Sequence, residues 1–142
     1  MPQSERDLVA GVIQLANLFI RRLGPIFEKS RITPQQWAIL SVLAGEESLT
    51  QAGLARKLLV SKQNMTGMVL RLEQLGLAER GDDPNDLRSS RVQLTRRGRA
   101  LVEKLRPAYE SWRNHVGRDF AERDLVALTR TVDRWIAELE RG

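Results

Sequence analysis

Between Thr50 and Thr95 the chain changes its apolar period twice, and that order restricts the folds open to it. "QAGLARKLLV" places Leu54, Ala55 and Leu58 on one face of a helix of about two turns. "SKQNMTGMVLRLEQLG" follows, with Ser61 as a cap and Gly76 as a stop signal. Its apolar stripe, Met65, Met68, Val69, Leu72 and Leu75, has helical spacing. "LAER" and "SRVQLT" then read as short strands on either side of "GDDPND". Val92 and Leu94 alternate with Arg91 and Gln93, as in a half-buried strand. The Asp-Pro and Asn-Asp pairs favour a turn between the two strands. Two helices joined by a few residues and followed by a hairpin make a winged helix-turn-helix.

The flanks read as helices. From Glu5 to Lys29, Val12, Leu15, Phe19, Leu23 and Ile26 recur at steps of three and four, and Val9, Ala16, Ile20 and Phe27 widen the stripe. A stripe this wide suits burial against a second chain, or a deep position within one chain. "ITPQQWAIL" starts a helix that is expected to run to about Ala44, with Thr33 as N-cap, Pro34 at the first position and Gln36 completing a capping box. "SLT" at Ser48–Thr50 is a short strand or a cap. After Thr95, Leu101, Leu105, Tyr109, Trp112 and Val116 restore the helical period, and Pro107 is expected to kink or divide that helix. "GRDF" interrupts it near Gly117, and Leu125, Leu128, Val132, Trp135, Ile136 and Leu139 mark a last helix. The expected fold is mainly α with a small β-hairpin wing, flanked by N- and C-terminal helices.

Charge is distributed unevenly. Residues 50–99 carry ten Lys/Arg against five Asp/Glu, whereas the segments before and after are each balanced, so the net charge of +5 resides in the middle. A basic centre favours a polyanion. The chain has no Cys, which excludes disulfides, thiolate metal sites and thiol chemistry. "MPQSERDLVAG" lacks a basic leader followed by an apolar stretch, and no uncharged apolar run approaches the roughly 18 residues of a membrane span. A cytoplasmic location without a membrane partner is the expectation.

In a helix-turn-helix the second helix enters the major groove and its first turns meet base edges. Here those residues are Ser61, Lys62, Gln63, Asn64, Thr66 and Gly67. Gln and Asn can read adenine through paired hydrogen bonds, and Gly67 leaves room for close backbone approach. Arg71, one turn further on, suits a phosphate. The acids of "DDPNDLRSSR" are less obvious in a basic zone. A wing reaches towards the minor groove, where a narrow groove attracts arginine. Asp86 is placed to orient Arg88 by a charge-assisted bond, with Arg91 beside them and Asp82 and Asp83 serving the turn. The competing interpretation is a solvated helix face and exposed ion pairs worth little.

"DPNDLRSSRVQLTRRG" resembles the wing signature of the MarR family of regulators, with Asp86, Arg88, Leu94, Thr95 and Gly98 in register. "LTQAGLARKLLVSKQNMTGMVLRLEQLGLAER" is similar to that family's helix-turn-helix, and "ITPQQWAIL" to the helix before it. The resemblance implies one domain over 1–142, with a DNA-binding region at 31–99 and helical dimerisation regions at 1–30 and 100–142. It implies a homodimer on a pseudo-palindromic operator in double-stranded DNA. It also implies repression of nearby genes, relieved by a small effector that is often aromatic or phenolic. Trp37, Tyr109 and Trp112 are candidates to line an effector pocket, with core or interface packing as their competing role. The lone His115 and the absence of Cys argue against metal and oxidant sensing.

No Ser/His/Asp-like set, glycine-rich phosphate loop or metal spacing is present, so neither an enzyme nor a cofactor is expected. A winged helix that binds a protein without specific DNA binding is the alternative. Salt dependence separates the two, because phosphate contacts release counterions.

Overall fold

The computed structural model describes residues 7–46, 48–83 and 85–141, without the side chains of residues 83 and 86–89. The elements are α1 (Leu8–Glu28), α2 (Pro34–Gly45), β1 (Leu49–Thr50), α3 (Gln51–Leu58), α4 (Lys62–Gln74), β2 (Ala78–Asp83), β3 (Asp86–Leu94), α5 (Arg96–Gly117) and α6 (Glu122–Arg141). The chain forms two compact units, divided between Arg106 and Pro107.

Caps written in the sequence set the helix boundaries of the first unit. Thr33 Oγ1 accepts from the Gln36 N–H (3.2 Å) and Gln36 Oε1 accepts from the Thr33 N–H (2.8 Å), a reciprocal capping box at the start of α2. Thr50 Oγ1 accepts from Gly53 N–H at 3.0 Å, so "SLT" supplies both a strand and a cap. α4 ends on Gly76 at φ +73, with Gly76 N–H bonded to Glu73 O and Leu77 N–H to Leu72 O, both 2.9 Å. That pairing satisfies the last carbonyls of α4, and glycine takes the left-handed position without a Cβ penalty.

Leu40, Leu43, Leu54, Met65, Val69 and Val92 are fully buried and form the centre of this unit. Trp37 stacks on Phe27 with ring centroids 5.1 Å apart, which fixes the end of α1 against α2. Phe27 is the buried residue of α1; Leu8, Val9, Val12, Leu15 and Phe19 face solvent.

The sheet has the order β1-β3-β2, all antiparallel, with Leu49 opposite Val92 and Ala78 opposite Leu94. The strands reach further into "GDDPND" than the sequence suggested. Gly81, Asp82 and Asp83 pair with Arg91, Ser90 and Asp86, and an irregularity falls between Asp82 and Asp83. Gly and Asp are poor strand formers. Here they extend a ladder already held at Arg80 and Val92.

Pro107 does not divide its helix: α5 runs through it. Pro107 and Glu103 are exposed, so solvent can serve the Glu103 carbonyl that proline leaves without its helical partner. The second unit consists of the end of α5 and α6. α6 carries Glu122 and Asp124 in its first turn and Arg141 in its last, which complements the helix dipole, yet it buries none of its residues within the chain. Leu128, Val132, Ile136 and Leu139 are among its exposed apolar side chains.

Candidate nucleic-acid interface

The turn between α3 and α4 is tight because the chain enters the left-handed region at Leu59 (φ 56, ψ 42). Val60 N–H then bonds back to Ala55 O at 3.0 Å and closes α3. Ser61 begins α4 in extended geometry, its Oγ accepting from Asn64 N–H at 3.1 Å. With the start fixed, the helical period decides which side chains face outward. Met65, Val69 and Leu72 are buried, and Lys62, Gln63, Asn64, Thr66, Gly67 and Arg71 are exposed. The sequence-predicted base-reading residues therefore share one solvent-facing surface with the predicted phosphate contact.

Two partners of this surface were missed by sequence reasoning. Gln51, the first residue of α3, donates from Nε2 to Thr66 Oγ1 at 2.6 Å, and Thr66 Oγ1 donates to Lys62 O at 3.0 Å. The Thr66 hydroxyl is thus committed within the protein and locks the first turn of α4 to α3. Gln35, on the first turn of α2, lines an open depression of about 600 Å³ together with Gln63, Asn64, Gly67 and Arg71. The available signal for both was a carboxamide within two residues of a capping threonine, at a helix N-terminus where backbone N–H groups face outward.

Gly67 has open space around it: a Cβ built there meets nothing within 4 Å. Packing inside the chain does not require glycine at that position. A glycine inside a helix costs about 1 kcal/mol relative to alanine.

The wing is positioned by its stem. Arg91, half-buried at the centre of the sheet, donates from Nε to Ser48 Oγ (2.8 Å) and from Nη2 to Ser48 O (3.0 Å). It ties the segment before β1 to β3, and those two donors are directed inward. Arg80 Nε lies 2.8 Å from Glu73 Oε1 and links β2 to the end of α4. Gln93 Nε2 donates to Glu79 Oε1 across the strands at 2.8 Å. Asp86 and Arg88 stand on β3, and the expected bond between their side chains lies outside the described residues.

The three aromatic candidates for an effector pocket lie in different settings. Trp37 belongs to the first unit and is 5% exposed, stacked on Phe27. Tyr109 and Trp112 lie half-buried on the part of α5 that belongs to the second unit, with the Arg113 guanidinium 5.9 Å from the Tyr109 ring centre. Among the described residues no cluster of three His, Cys, Asp or Glu could hold a metal, and no helix is long and apolar enough to cross a membrane.

Comparison with known proteins gives a consistent result. A sequence profile described as MarR family matches residues 32–89. The homoprotocatechuate degradative operon repressor of Escherichia coli is 27% identical over 131 residues, covering 92% of this chain and 88% of that protein. The transcriptional activatory protein BadR of Rhodopseudomonas palustris is 34% identical over 117 residues, covering 80% of this chain and 67% of that protein. In fold, the chain is similar to the crystal structure of AbsC, a MarR family transcriptional regulator from Streptomyces coelicolor. The TM-score is 0.89, the identity 21%, and the match covers 100% of this chain and 98% of the other.

Proposed function

The chain belongs to the MarR family of DNA-binding transcription regulators, and from that premise we propose that it is a homodimeric repressor of nearby genes, relieved by a small aromatic effector. The observation that carries the DNA reading is the exposed polar face of α4, flanked by the wing and held on a buried stripe. In this reading Gln63 and Asn64 contact base edges, while Lys62 and Arg71 contact phosphates. Arg88, oriented by Asp86, enters the minor groove; its loss costs about 1–3 kcal/mol of binding.

Dimerisation is supported by the apolar side chains that α1 and α6 leave exposed. A second copy of the chain is the partner that family membership offers for them. Two copies related by a two-fold axis read half-sites about one helical turn apart. Repression is supported by the name of the Escherichia coli relative, and an aromatic effector by the operon that it is named for. The name of the Rhodopseudomonas palustris relative favours activation as a second reading.

The test is a selection of bound fragments from the source genome, incubated with purified protein at physiological salt and sequenced. Enrichment of a short inverted repeat beside promoters is the expected outcome, and a reporter on such a promoter gives the sign of regulation. Fragments no more enriched than random ones, together with a salt-insensitive protein partner, would replace this function by the protein-interaction alternative.

A further inference from the structure

Four cationic side chains, Lys29, Arg31, Arg97 and Lys104, line one cavity of about 410 Å³ in the first unit. Lys29 and Arg31 come from the turn that leaves α1, where Arg31 takes a left-handed conformation at φ 62. Arg97 and Lys104 project from the first half of α5. Leu75, Leu77 and Leu101 provide apolar lining, and among the described residues no acid lines the cavity. None of the four cations has an acidic or hydrogen-bonded side-chain partner among the described residues. Glu103, next to Lys104 in the chain, is directed to Arg106 at 3.6 Å. Arg97 reaches back over the end of α4, its Nη1 3.6 Å from where a Cβ on Gly76 would be.

Like charges gathered on one concave surface repel one another, and a low-dielectric wall strengthens the field that they create. Among the described residues nothing neutralises it. The proposed DNA-reading residues do not account for this charge, since they line a separate depression that shares no residue with the cavity.

We propose that this cavity is a binding site for a small organic dianion, a dicarboxylate on an apolar carbon body. The volume falls within the range of small-molecule pockets. Arginine forks from two different elements can each take one carboxylate in a bidentate pair, with the lysines as point charges beside them. The leucines receive the carbon body. The site joins the turn after α1 to the Leu75–Leu77 end of the recognition helix, so occupancy fastens the base of that helix. This regulatory consequence rests on the reading of the chain as a DNA-binding regulator; the binding site itself does not.

The experiment is calorimetric titration of the full chain with phthalate at low salt, alongside benzamide as a neutral aromatic and sulfate as a dianion without a carbon body. Phthalate is expected to bind, benzamide not to bind, and sulfate to bind at least about tenfold more weakly. Lys104→Ala and Arg97→Ala are each expected to weaken phthalate about tenfold, while Lys57→Ala, outside the cavity, leaves it unchanged. Thermal melting without ligand checks that each variant is folded, and Arg97→Lys retains part of the affinity. Phthalate affinity unchanged in both alanine variants, or no binding by the intact chain, overturns the site. Loss of DNA affinity in these variants with no phthalate binding instead assigns the four cations to nucleic-acid phosphates. Phthalate binding by a chain that selects no operator leaves the site standing and removes only its regulatory role.

Discussion

A β-carbon placed on Gly98 would stand 2.0 Å from the carbonyl oxygen of Leu77. The first turn of α5 therefore lies directly on the backbone that leaves the recognition helix. Thr95 fastens the same junction: its N–H bonds Leu77 O at 3.1 Å, its hydroxyl donates to Gly76 O at 2.6 Å, and the hydroxyl oxygen accepts from Gly98 N–H at 3.0 Å. The oxygen that a side chain would strike cannot swing away, because it is main chain and already bonded.

Gly98→Ala is accordingly expected to destabilise the first unit by about 3 kcal/mol, since overpacking against backbone can be relieved only by moving α5. Urea unfolding followed by tryptophan fluorescence measures it. A change below about 0.5 kcal/mol would show that α5 shifts freely at this point.

Gly67→Ala should move stability the other way. With nothing within 4 Å of the new methyl group, alanine gains about 0.5–1 kcal/mol from helix propensity and a less flexible unfolded chain. DNA affinity should fall, because the methyl group occupies space that the proposed interface reserves for close approach. A more stable variant with unchanged operator affinity removes Gly67 from that interface.

Leu59 holds a left-handed conformation that costs a branched side chain about 1–2 kcal/mol, and it is 57% exposed. Leu59→Gly relieves that strain and forfeits some unfolded-state entropy, for a net gain of about 0.5–1 kcal/mol. A lower melting temperature would mean that the leucine side chain contributes more through its contacts than its backbone costs.

Arg91 and Arg71 should separate by salt dependence. Arg91→Ala removes two hydrogen bonds to Ser48 and is expected to cost about 1–3 kcal/mol of folding stability. The slope of log affinity against log salt should stay the same in Arg91→Ala and shrink by about one in Arg71→Ala. Equal slope losses would place Arg91 on the phosphates rather than in the stem of the wing.

These residues also show what a sequence discloses. The Thr33–Gln36 box, the Ser61 cap and the Gly76 stop were legible because each involves partners within three to five residues. Local hydrogen-bond chemistry identifies them without knowledge of the fold. The outward face of α4 was legible for a related reason, since its period fixes which residues lie opposite Met65 and Val69.

Long-range partners leave no such trace. Ser48 and Arg91 are 43 residues apart, and Gln51 and Thr66 are 15 apart. Strand pairing directs two Arg91 donors towards Ser48, which its place after Arg88 does not disclose. Leu59 was equally opaque: leucine has no preference for the left-handed region, and the fold imposes it there. The continuity of α5 through Pro107 and the strand pairing within "GDDPND" were hidden in a shared way. Both segments carry residues that locally oppose helix or strand, within elements nucleated elsewhere.

α6 is a twenty-residue helix that buries no residue of its own. Most helical stability in proteins comes from tertiary packing of an apolar face, so its order depends on what covers it. If the cover is a second copy, mass action governs the fold of the arms, and dilution melts them while the capped, close-packed reading module persists. Expression level then becomes an input in its own right: a cell making few copies would hold intact reading heads with unformed arms, and paired occupancy of an operator would begin only above a threshold dose.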